Sequence, residues 1–325
     1  MAFSADQLLE KVNTYLATMP YVREPKGLYA PIEYVLSLGG KRIRPVLMLL
    51  SYQLYKENVD DILPQAAGIE TYHNYTLLHD DLMDCADMRR NKPTVHKVWD
   101  ENTAILSGDA MLVLAYRLMN NCPERYLKQV MDFFSQTALE ICEGQQWDME
   151  FETRNDVTVP EYMEMIRLKT SVLLSAALKI GAVLGGASED DARKLYDFGI
   201  KMGLAFQLQD DYLDVYGDSK VFGKNIGGDI LCNKKTFMLI NALALADGIQ
   251  RKELEKWIAS TAFCPEEKIK AVTALYDKIG IGGICEEKIN AYYVEGLSLL
   301  ESMAVPSERK EELKSFVCHL MNRKV

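Results

Sequence analysis

Apolar residues recur at intervals of three and four along nearly the whole chain, and alternating runs of β-branched residues are scarce. This spacing puts apolar side chains on one face of an α-helix, so it predicts an all-α fold of roughly ten to thirteen helices. The clearest segments predict core helices over residues 41–57, 63–84, 98–120, 124–152, 160–186 and 190–217. Glycines and prolines mark the breaks, and no linker or shift in composition divides the chain, which favours one domain over residues 1–325.

The composition narrows the class of protein. With 48% hydrophobic and 26% charged residues the chain is typical of a soluble globular protein, and 47 acidic against 37 basic residues argue against a nucleic-acid partner. Its seven cysteines are scattered without a CxxC pair, which indicates thiols in a reducing compartment. The start has no basic region followed by an apolar one, and no window has the ~18 apolar residues of a membrane span. We therefore expect a cytoplasmic protein without a transmembrane segment.

Two aspartate clusters of the same form, Asp-Asp-x-x-Asp, lie 130 residues apart at Asp80–Asp84 and Asp210–Asp214. Residues i and i+4 share one face of a helix, so each predicted helix presents a pair of carboxylates. Carboxylates that face one cavity repel each other unless hard cations such as Mg²⁺ neutralise them and bind phosphate oxygens. A single cluster is equally compatible with a solvated helix face. Two copies favour a metal-diphosphate site in which the two helices face each other inside a bundle.

Two other acidic pairs lack this geometry. Asp60–Asp61 has Pro64 where a third carboxylate would be needed. Asp190–Asp191 has Lys194 at that position and is preceded by Ser188, a good helix N-cap residue. We interpret both pairs as helix starts and not as metal sites.

Basic residues lie at the start of the first predicted core helix. The run Gly39–Pro45 places Lys41 and Arg44 just ahead of an apolar segment. Open N–H groups at a helix start, together with nearby cations, suit a phosphate, although a solvated basic turn is the alternative. His73 lies about two helical turns before Asp80 and so on roughly the same face, where a core histidine is an equally good interpretation.

Arg89 and Arg90 follow the first aspartate cluster after one short loop. Each planar guanidinium group is suited to phosphate oxygens, so the two arginines could serve two different diphosphates. They could instead neutralise Asp84 and Asp87. Further polar side chains precede the second cluster or lie on a glycine-broken segment after it, as expected of a lid over a metal-bound phosphate. These are Lys169, Thr170, Gln207, Lys224, Lys234 and Lys235.

In order and spacing, these motifs resemble those of the trans-polyprenyl diphosphate synthases, with farnesyl and geranylgeranyl diphosphate synthases as the nearest members. The resemblance covers nearly the whole chain. It is carried by Gly39–Pro45, His79–Asp84, Arg89–Arg90, Lys169–Thr170 and Phe206–Asp214.

The resemblance implies an isoprenoid synthase fold, with helices around a central cavity, and a homodimer. It implies that three Mg²⁺ ions are bound directly by Asp80, Asp84 and Asp210, with support from Asp81, Asp211 and Asp214. The residues that resemble catalytic positions are Asp80, Asp81, Asp84, Lys169, Asp210, Asp211 and Lys224.

The same resemblance implies two substrate sites. The allylic diphosphate would be held by Arg89, Lys169, Thr170, Gln207, Lys224 and Lys234. Isopentenyl diphosphate would be held by Lys41, Arg44, His73 and Arg90. Two positions depart from the family pattern: Asn91 stands where many members have glycine, and Cys232 interrupts the polar loop.

The implied reaction is ionisation of the allylic diphosphate, condensation with isopentenyl diphosphate and loss of a proton. A class I terpene cyclase is an alternative, but it has no use for an isopentenyl site. A non-catalytic subunit of a heteromeric prenyl synthase is another, but it would be expected to have a degraded aspartate cluster. The floor of the product tunnel would be formed by Tyr75 and Thr76, and one aromatic residue there favours a geranylgeranyl product, with farnesyl next.

Overall fold

The computed structural model describes residues 3–20, 23–217 and 226–321. In this part of the chain the regular structure is helical apart from one short hairpin, which confirms the predicted all-α class. The α-helices are α1 (Ala5–Thr18), α2 (Lys26–Ser37), α3 (Ile43–Gln53), α4 (Leu63–Met83), α5 (Val95–Val98), α6 (Glu101–Met119), α7 (Glu124–Thr153), α8 (Val159–Ile166), α9 (Val172–Gly185), α10 (Glu189–Tyr216), α11 (Gly228–Leu231), α12 (Phe237–Leu245), α13 (Gly248–Ala259), α14 (Pro265–Ile279), α15 (Ile281–Glu301) and α16 (Ser307–Met321).

Three shorter elements complete the description. A 3₁₀-helix, Val59–Ile62, leads into α4, and a π-helical turn, Arg167–Ser171, joins α8 to α9. The hairpin consists of β1 (Met88–Arg89) and β2 (Lys92–Pro93), which pair antiparallel. Each of the six predicted core segments contains a helix. The largest differences are at the segment predicted over residues 41–57, of which α3 covers only 43–53, and at the π turn inside the segment predicted over residues 160–186.

Local sequence explains where several helices begin. The Asp100 side chain accepts the Thr103 N–H at 2.8 Å and caps α6, so the helix begins three residues later than its predicted start at residue 98. α8 begins with a capping box, in which Thr158 and Glu161 each satisfy the other's N–H group. Gly280, with φ of 84°, ends α14 in the left-handed conformation that glycine adopts without strain.

The two acidic pairs outside the motifs lie at helix starts, as predicted. Asp60 and Asp61 belong to the 3₁₀-helix that leads into α4. Asp190 and Asp191 lie in the first turn of α10, where the Ser188 hydroxyl accepts the Asp191 N–H at 3.1 Å. The negative charges there interact favourably with the positive end of the helix dipole.

The chain divides into two compact units. The first comprises Met1–Gln136, Ala176–Tyr196 and Met303–Leu313, and the second comprises Thr137–Ser175, Asp197–Ser302 and Lys314–Val325. Four of their five boundaries fall within helices, and the fifth, between Ser302 and Met303, lies just after the end of α15. A single domain over residues 1–325 stays a prediction.

Each unit has its own apolar packing around a motif helix. In the first unit α4 packs against α3 and α6, and Leu78 of α4 belongs to a buried cluster with Ile32 and Met111. In the second unit Leu208 of α10 belongs to a buried cluster with Ile281. The apolar face of each motif helix is thereby anchored one turn or less before its aspartates.

The helical segment of residues 159–185 is long and apolar enough to span a membrane, contrary to the expectation that no such window exists. Its most apolar stretch is 83% buried inside the protein. A helix buried in the core of a protein can be as apolar as a membrane-spanning helix, because each has apolar surroundings on all sides.

Candidate active site

The first aspartate motif occupies the last turn of α4. Asp84 ends the helix, and its N–H donates to the Asp80 carbonyl at 2.9 Å, so the two side chains lie one turn apart as predicted. Asp84 is exposed and Asp80 partly exposed, whereas Asp81 is buried. The predicted pair of outward carboxylates, with a buried carboxylate beside it, is present in the structure.

Arg89 of β1 binds the buried carboxylate of this motif. Its Nε donates to both oxygens of Asp81 at 2.7 Å, and a terminal nitrogen lies 3.6 Å from Asp80. Burial raises the pKa of Asp81, and the adjacent Arg89 opposes that rise. Of the two aspartates that the arginines could instead neutralise, Asp84 and Asp87, the second pairs with Lys97 at 2.9 Å.

The hairpin that carries Arg89 turns through Arg90 and Asn91, which have φ of 51° and 60°. Two central residues with positive φ form the mirror-image turn that suits the twist of a two-stranded hairpin. Asparagine tolerates this conformation better than most residues, which explains how Asn91 replaces the family's glycine. The first departure from the family pattern therefore leaves the turn intact.

Three of the residues predicted for isopentenyl diphosphate lie in one region of the first unit. Arg44 approaches His73 with 3.1 Å between Nη1 and Nε2. The Arg90 guanidinium donates to the Gly39 carbonyl and lies against Gly40, where a Cβ would be 2.9 Å from its central carbon. Glycine at position 40 is thus needed for the close approach of Arg90.

Burial and mutual repulsion set the charges in this region. Burial lowers the pKa of Arg44 to about 10, and it lowers the pKa of His73 well below its ordinary value, an effect to which Arg44 adds. His73 is therefore a neutral acceptor for the Arg44 N–H group, while Arg44 stays charged at neutral pH. Lys41 is exposed and lies three residues before Arg44 in the chain.

The second aspartate motif occupies the last two turns of α10. Asp211 is buried, accepts the Tyr162 hydroxyl, and accepts the Gln207 amide at 3.2 Å. Burial raises the pKa of Asp211 to about 7, and the nearby Asp229 adds to that rise. The donors here are uncharged, in contrast to the guanidinium that binds Asp81.

The two other aspartates of this motif, Asp210 and Asp214, are partly exposed and one turn apart. Asp214 accepts the backbone N–H of Asp229 at 3.0 Å. This bond ties the motif to the start of α11, where the carbonyl of Asp229 also accepts the N–H of Lys234 at 2.9 Å.

The π turn carries two residues predicted for the allylic diphosphate. Lys169 pairs with Asp148 of α7 at 2.5 Å, and the Thr170 hydroxyl donates to Gln207 at 3.3 Å. Burial opposes ionisation of Asp148, but Lys234 and Lys169 outweigh it, so the pKa of Asp148 is lowered. The second unit thus brings together four residues predicted for the allylic diphosphate: Lys169, Thr170, Gln207 and Lys234.

Some positions could not be found from spacing. Asp148 and Tyr162 bind site residues from 21 and 49 positions away, on other helices, and no motif marks either of them. Lys224, one of the predicted catalytic residues, lies outside the described residues. Cys232 is exposed and directly follows α11 as its C-cap, and the Lys234 backbone bond is present beside this second departure.

The two predicted tunnel residues lie in the middle of α4. Tyr75 stacks edge-on with His79 at 4.8 Å between ring centres and also contacts Tyr72. The Thr76 hydroxyl donates to the His73 carbonyl at 2.8 Å, so this small side chain is turned back on its own helix.

The carboxylates have the oxygen chemistry that Mg²⁺ prefers. Within residues 3–20, 23–217 and 226–321, no group of three or more His, Cys, Asp or Glu side chains is already gathered in metal-binding geometry. Asp80 and Asp84 point a charged pair outward, and Asp211 lies close enough to Asp229 for the two charges to repel. The exposed Asp84 and the partly exposed Asp80, one turn apart, offer carboxylate oxygens of the kind that Mg²⁺ binds.

The model of the polyprenyl synthetase family matches residues 25–276. The chain belongs to the polyprenyl synthetase family. It is 41% identical over 273 residues to a short chain isoprenyl diphosphate synthase of Methanocaldococcus jannaschii, covering 84% of this chain and 83% of that protein. It is 46% identical over 224 residues to a geranylgeranyl diphosphate synthase of Methanosarcina mazei, covering 68% and 69% of the two chains.

A crystal structure of a geranylgeranyl pyrophosphate synthase superposes with a TM-score of 0.91 at 44% identity, covering 99% of this chain and 98% of the other. The isoprenoid synthase fold predicted from the motifs is thereby confirmed, and the chain is a prenyltransferase. Polyprenyl synthetases use isopentenyl and allylic diphosphates as substrates and depend in general on magnesium.

Proposed function

We propose that this polyprenyl synthetase condenses isopentenyl diphosphate head-to-tail with allylic diphosphates and makes a short-chain trans-prenyl diphosphate, chiefly geranylgeranyl diphosphate. The observation that carries the proposal is the pair of intact aspartate motifs, each with its own set of bound or neighbouring cations. Two of the similar proteins named above are, by their names, a geranylgeranyl diphosphate synthase and a geranylgeranyl pyrophosphate synthase, which supports a product of twenty carbons.

Three Mg²⁺ ions would be held by Asp80, Asp84 and Asp210, with Asp81, Asp211 and Asp214 supporting these ligands. Bound there, magnesium stabilises negative charge on a departing diphosphate. Asp81 and Asp211 are the buried members of their motifs. Their role is to orient the neighbouring carboxylates, because their own oxygens are occupied by Arg89, Tyr162 and Gln207.

The allylic diphosphate would be held by Arg89, Lys169, Thr170, Gln207, Lys224 and Lys234. Lys169 contributes an ammonium already oriented by Asp148, and Thr170 a hydroxyl oriented by Gln207. Pre-oriented cations stabilise the charge that develops on the leaving diphosphate without reorganising during the reaction. Ionisation of the allylic carbon–oxygen bond is the step that these side chains would promote.

Isopentenyl diphosphate would be held by Lys41, Arg44, His73 and Arg90. Arg44 and Arg90 supply permanent charges, and the neutral His73 directs the Arg44 fork through its ring nitrogen. The double bond of isopentenyl diphosphate then attacks the allylic cation, and a proton leaves to the departing pyrophosphate. No protein nucleophile is required.

Incubation with labelled isopentenyl diphosphate and an allylic diphosphate tests this proposal. We expect elongation that requires both substrates and Mg²⁺. Cyclised hydrocarbon from the allylic substrate alone would instead identify a class I terpene cyclase. Binding of both diphosphates without elongation would identify a non-catalytic subunit and contradict the proposal.

Product length would be set by Tyr75 and Thr76, which lie five and four residues before Asp80. The ring of Tyr75 is held by Tyr72 and His79, whereas Thr76 leaves room beside it. We expect Tyr75→Ala to lengthen the product and Thr76→Phe to shorten it, as measured by chromatography of the dephosphorylated products. An unchanged length in both variants would remove these residues as the tunnel floor.

A homodimer would cover the exposed apolar side chains of α6. Ile105, Leu106 and Val113 are 45%, 60% and 59% exposed, and they fall on one face of the helix. An exposed apolar stripe of this kind is typical of an interface. Light scattering should find a dimer in the native protein and a monomer in Leu106→Glu.

We place the enzyme in the cytoplasm, since the cysteines that the structure describes are unpaired thiols, as expected in a reducing compartment.

A further inference from the structure

The π turn Arg167–Ser171 is an interruption in an otherwise α-helical segment. The N–H of Val172 donates to the Arg167 carbonyl, five residues earlier, whereas an α-helix bonds four residues back. A π turn thus accommodates one extra residue, which rotates the side chains on either side of it relative to each other by about 100°. Such turns are rare and persist where their surroundings hold them.

On one side the turn packs against α7 at Gly144. A Cβ at position 144 would lie 2.8 Å from the Leu168 carbonyl carbon and would overlap the backbone nitrogen of Lys169. One helical turn further along α7, Asp148 binds the Lys169 side chain at 2.5 Å. The same helix therefore admits the backbone of the π turn and, four residues later, binds its side chain.

On the other side α10 repeats this arrangement. A Cβ at Gly203 would lie 2.6 Å from the Cβ of Ser171 and 2.7 Å from its Cα. Four residues later, Gln207 accepts the Thr170 hydroxyl at 3.3 Å and donates to Asp211 at 3.2 Å. Two consecutive residues of the π turn thus reach partners on two different helices.

We propose that Gly144 and Gly203 are positioning residues for the allylic diphosphate, acting through the π turn on Lys169 and Thr170. The inference rests on the proposed function, which assigns the latter two to that substrate. Because neither glycine has a Cβ, both flanking helices approach the turn closely enough to bond its side chains. Any Cβ at these positions pushes the turn away from Asp148 or Gln207 and misplaces the groups that meet the diphosphate.

The test uses Gly144→Ala and Gly203→Ala, with kinetics normalised to the folded fraction. We expect the KM for farnesyl diphosphate to rise roughly tenfold or more, with the KM for isopentenyl diphosphate within about twofold of the native value. Gly181→Ala is the matched control. Gly181 lies on α9, which follows the π turn, and its Cβ would overlap the Met48 carbonyl. It is ten residues past the last residue of the turn. It should reduce the folded fraction without raising the KM for farnesyl diphosphate.

A double-mutant cycle separates positioning from general damage. In a Lys169→Ala background, Gly144→Ala should add little to the KM for farnesyl diphosphate, because the side chain through which it acts is already gone. If Gly203→Ala folds poorly, adding Ser171→Gly removes the opposing side chain and should bring the KM for farnesyl diphosphate back towards the native value.

Two outcomes would overturn the inference in different ways. A raised KM in Lys169→Ala with a native KM in both glycine variants would remove the positioning role and leave the proposed function standing. A native KM in Lys169→Ala itself would show that the allylic substrate is assigned to the wrong residues, and the positioning role would fall with that assignment.

Discussion

The two aspartate motifs have the same spacing and the same place at the end of a long helix, but their buried carboxylates have different partners. Asp81 is bound by a cation, the guanidinium of Arg89, at 2.7 Å. Asp211 is bound by uncharged donors, the Tyr162 hydroxyl and the Gln207 amide. The two motifs therefore differ in the partners of their buried carboxylates and not in their own spacing.

This difference changes the free-energy cost of keeping each buried carboxylate ionised. Burial raises the pKa of both aspartates, and the bound Arg89 opposes the rise at Asp81. At Asp211 the repulsion from Asp229 adds to the rise and the nearby Lys234 offsets it only in part, so the pKa reaches about 7. An uncharged donor cannot offset a buried charge as a cation does. The second motif consequently has the greater need for an added cation, and the first is already partly neutralised by the chain itself.

The largest effect is expected where the motifs are alike, at their outward ligands. Asp80→Ala and Asp210→Ala should each reduce turnover by about 10³-fold or more, because each removes an oxygen proposed to bind Mg²⁺. The fold should remain, since both side chains are partly exposed. Condensation of labelled substrates measures the loss, and circular dichroism checks the fold.

Asp190→Ala is the matched control, because Asp190 also belongs to an acidic pair on α10 but pairs with Arg193 and Lys194 of its own helix. It should retain native turnover. Activity of Asp80→Ala or Asp210→Ala within about twofold of the native enzyme, with unchanged Mg²⁺ dependence, would refute the ligand assignment.

The buried aspartates should differ in how pH affects stability without metal. Because the pKa of Asp211 is raised from 3.8 to about 7, the folded state binds more protons than the unfolded state between these values. Stability therefore falls as pH rises through this window. At pH above the window, Asp211→Asn should raise the free energy of unfolding by on the order of 3 kcal/mol, and the gain should vanish at low pH, where both forms are neutral.

Asp81→Asn should not give this gain, because it removes the charged partner that the partly buried Arg89 binds at 2.7 Å. Urea unfolding of both variants in EDTA, at several pH values, makes the measurement. Equal stabilisation by the two substitutions would show that the surroundings of the motifs do not differ in the way described.

The substrate sites should separate between the two regions. Arg90→Ala should raise the KM for isopentenyl diphosphate, and Lys169→Ala the KM for the allylic diphosphate. Loss of one charge-assisted contact to phosphate should cost roughly 1.5–3 kcal/mol in each case. Steady-state kinetics with each substrate varied in turn measure this, and equal effects on both KM values would contradict the assignment.

The smallest effect is expected at the hairpin turn beside Arg89. Asn91 has φ of 60°, so Asn91→Gly should change the free energy of unfolding by only about 0.5 kcal/mol and leave kinetics unchanged. Asn91→Val should cost about 1–2 kcal/mol, since a β-branched residue is strained in this conformation. Thermal unfolding measures the stability of both variants. If Asn91→Val were as stable as the native protein, residue 91 would not be held at a positive φ.

Local sequence was sufficient for several of the long helices and for the relative placement of the aspartates within each motif. The periodic pattern over residues 63–84 and 124–152 predicted α4 and α7 to within one residue at each end. The spacing of Asp80 and Asp84 predicted a shared face, because an i, i+4 relation depends only on helical geometry. Both are properties of residues within a few turns of each other.

The tertiary structure decided what no local spacing contains. The pairing of Asp148 with Lys169, and of Tyr162 with Asp211, joins residues on different helices. The π turn between α8 and α9 packs against glycines on two other helices, and no pattern in its own residues marks it. Burial, the charge state of a buried carboxylate and the shape of this turn depend on neighbours that only folding brings together, and a pattern along one helix does not specify them.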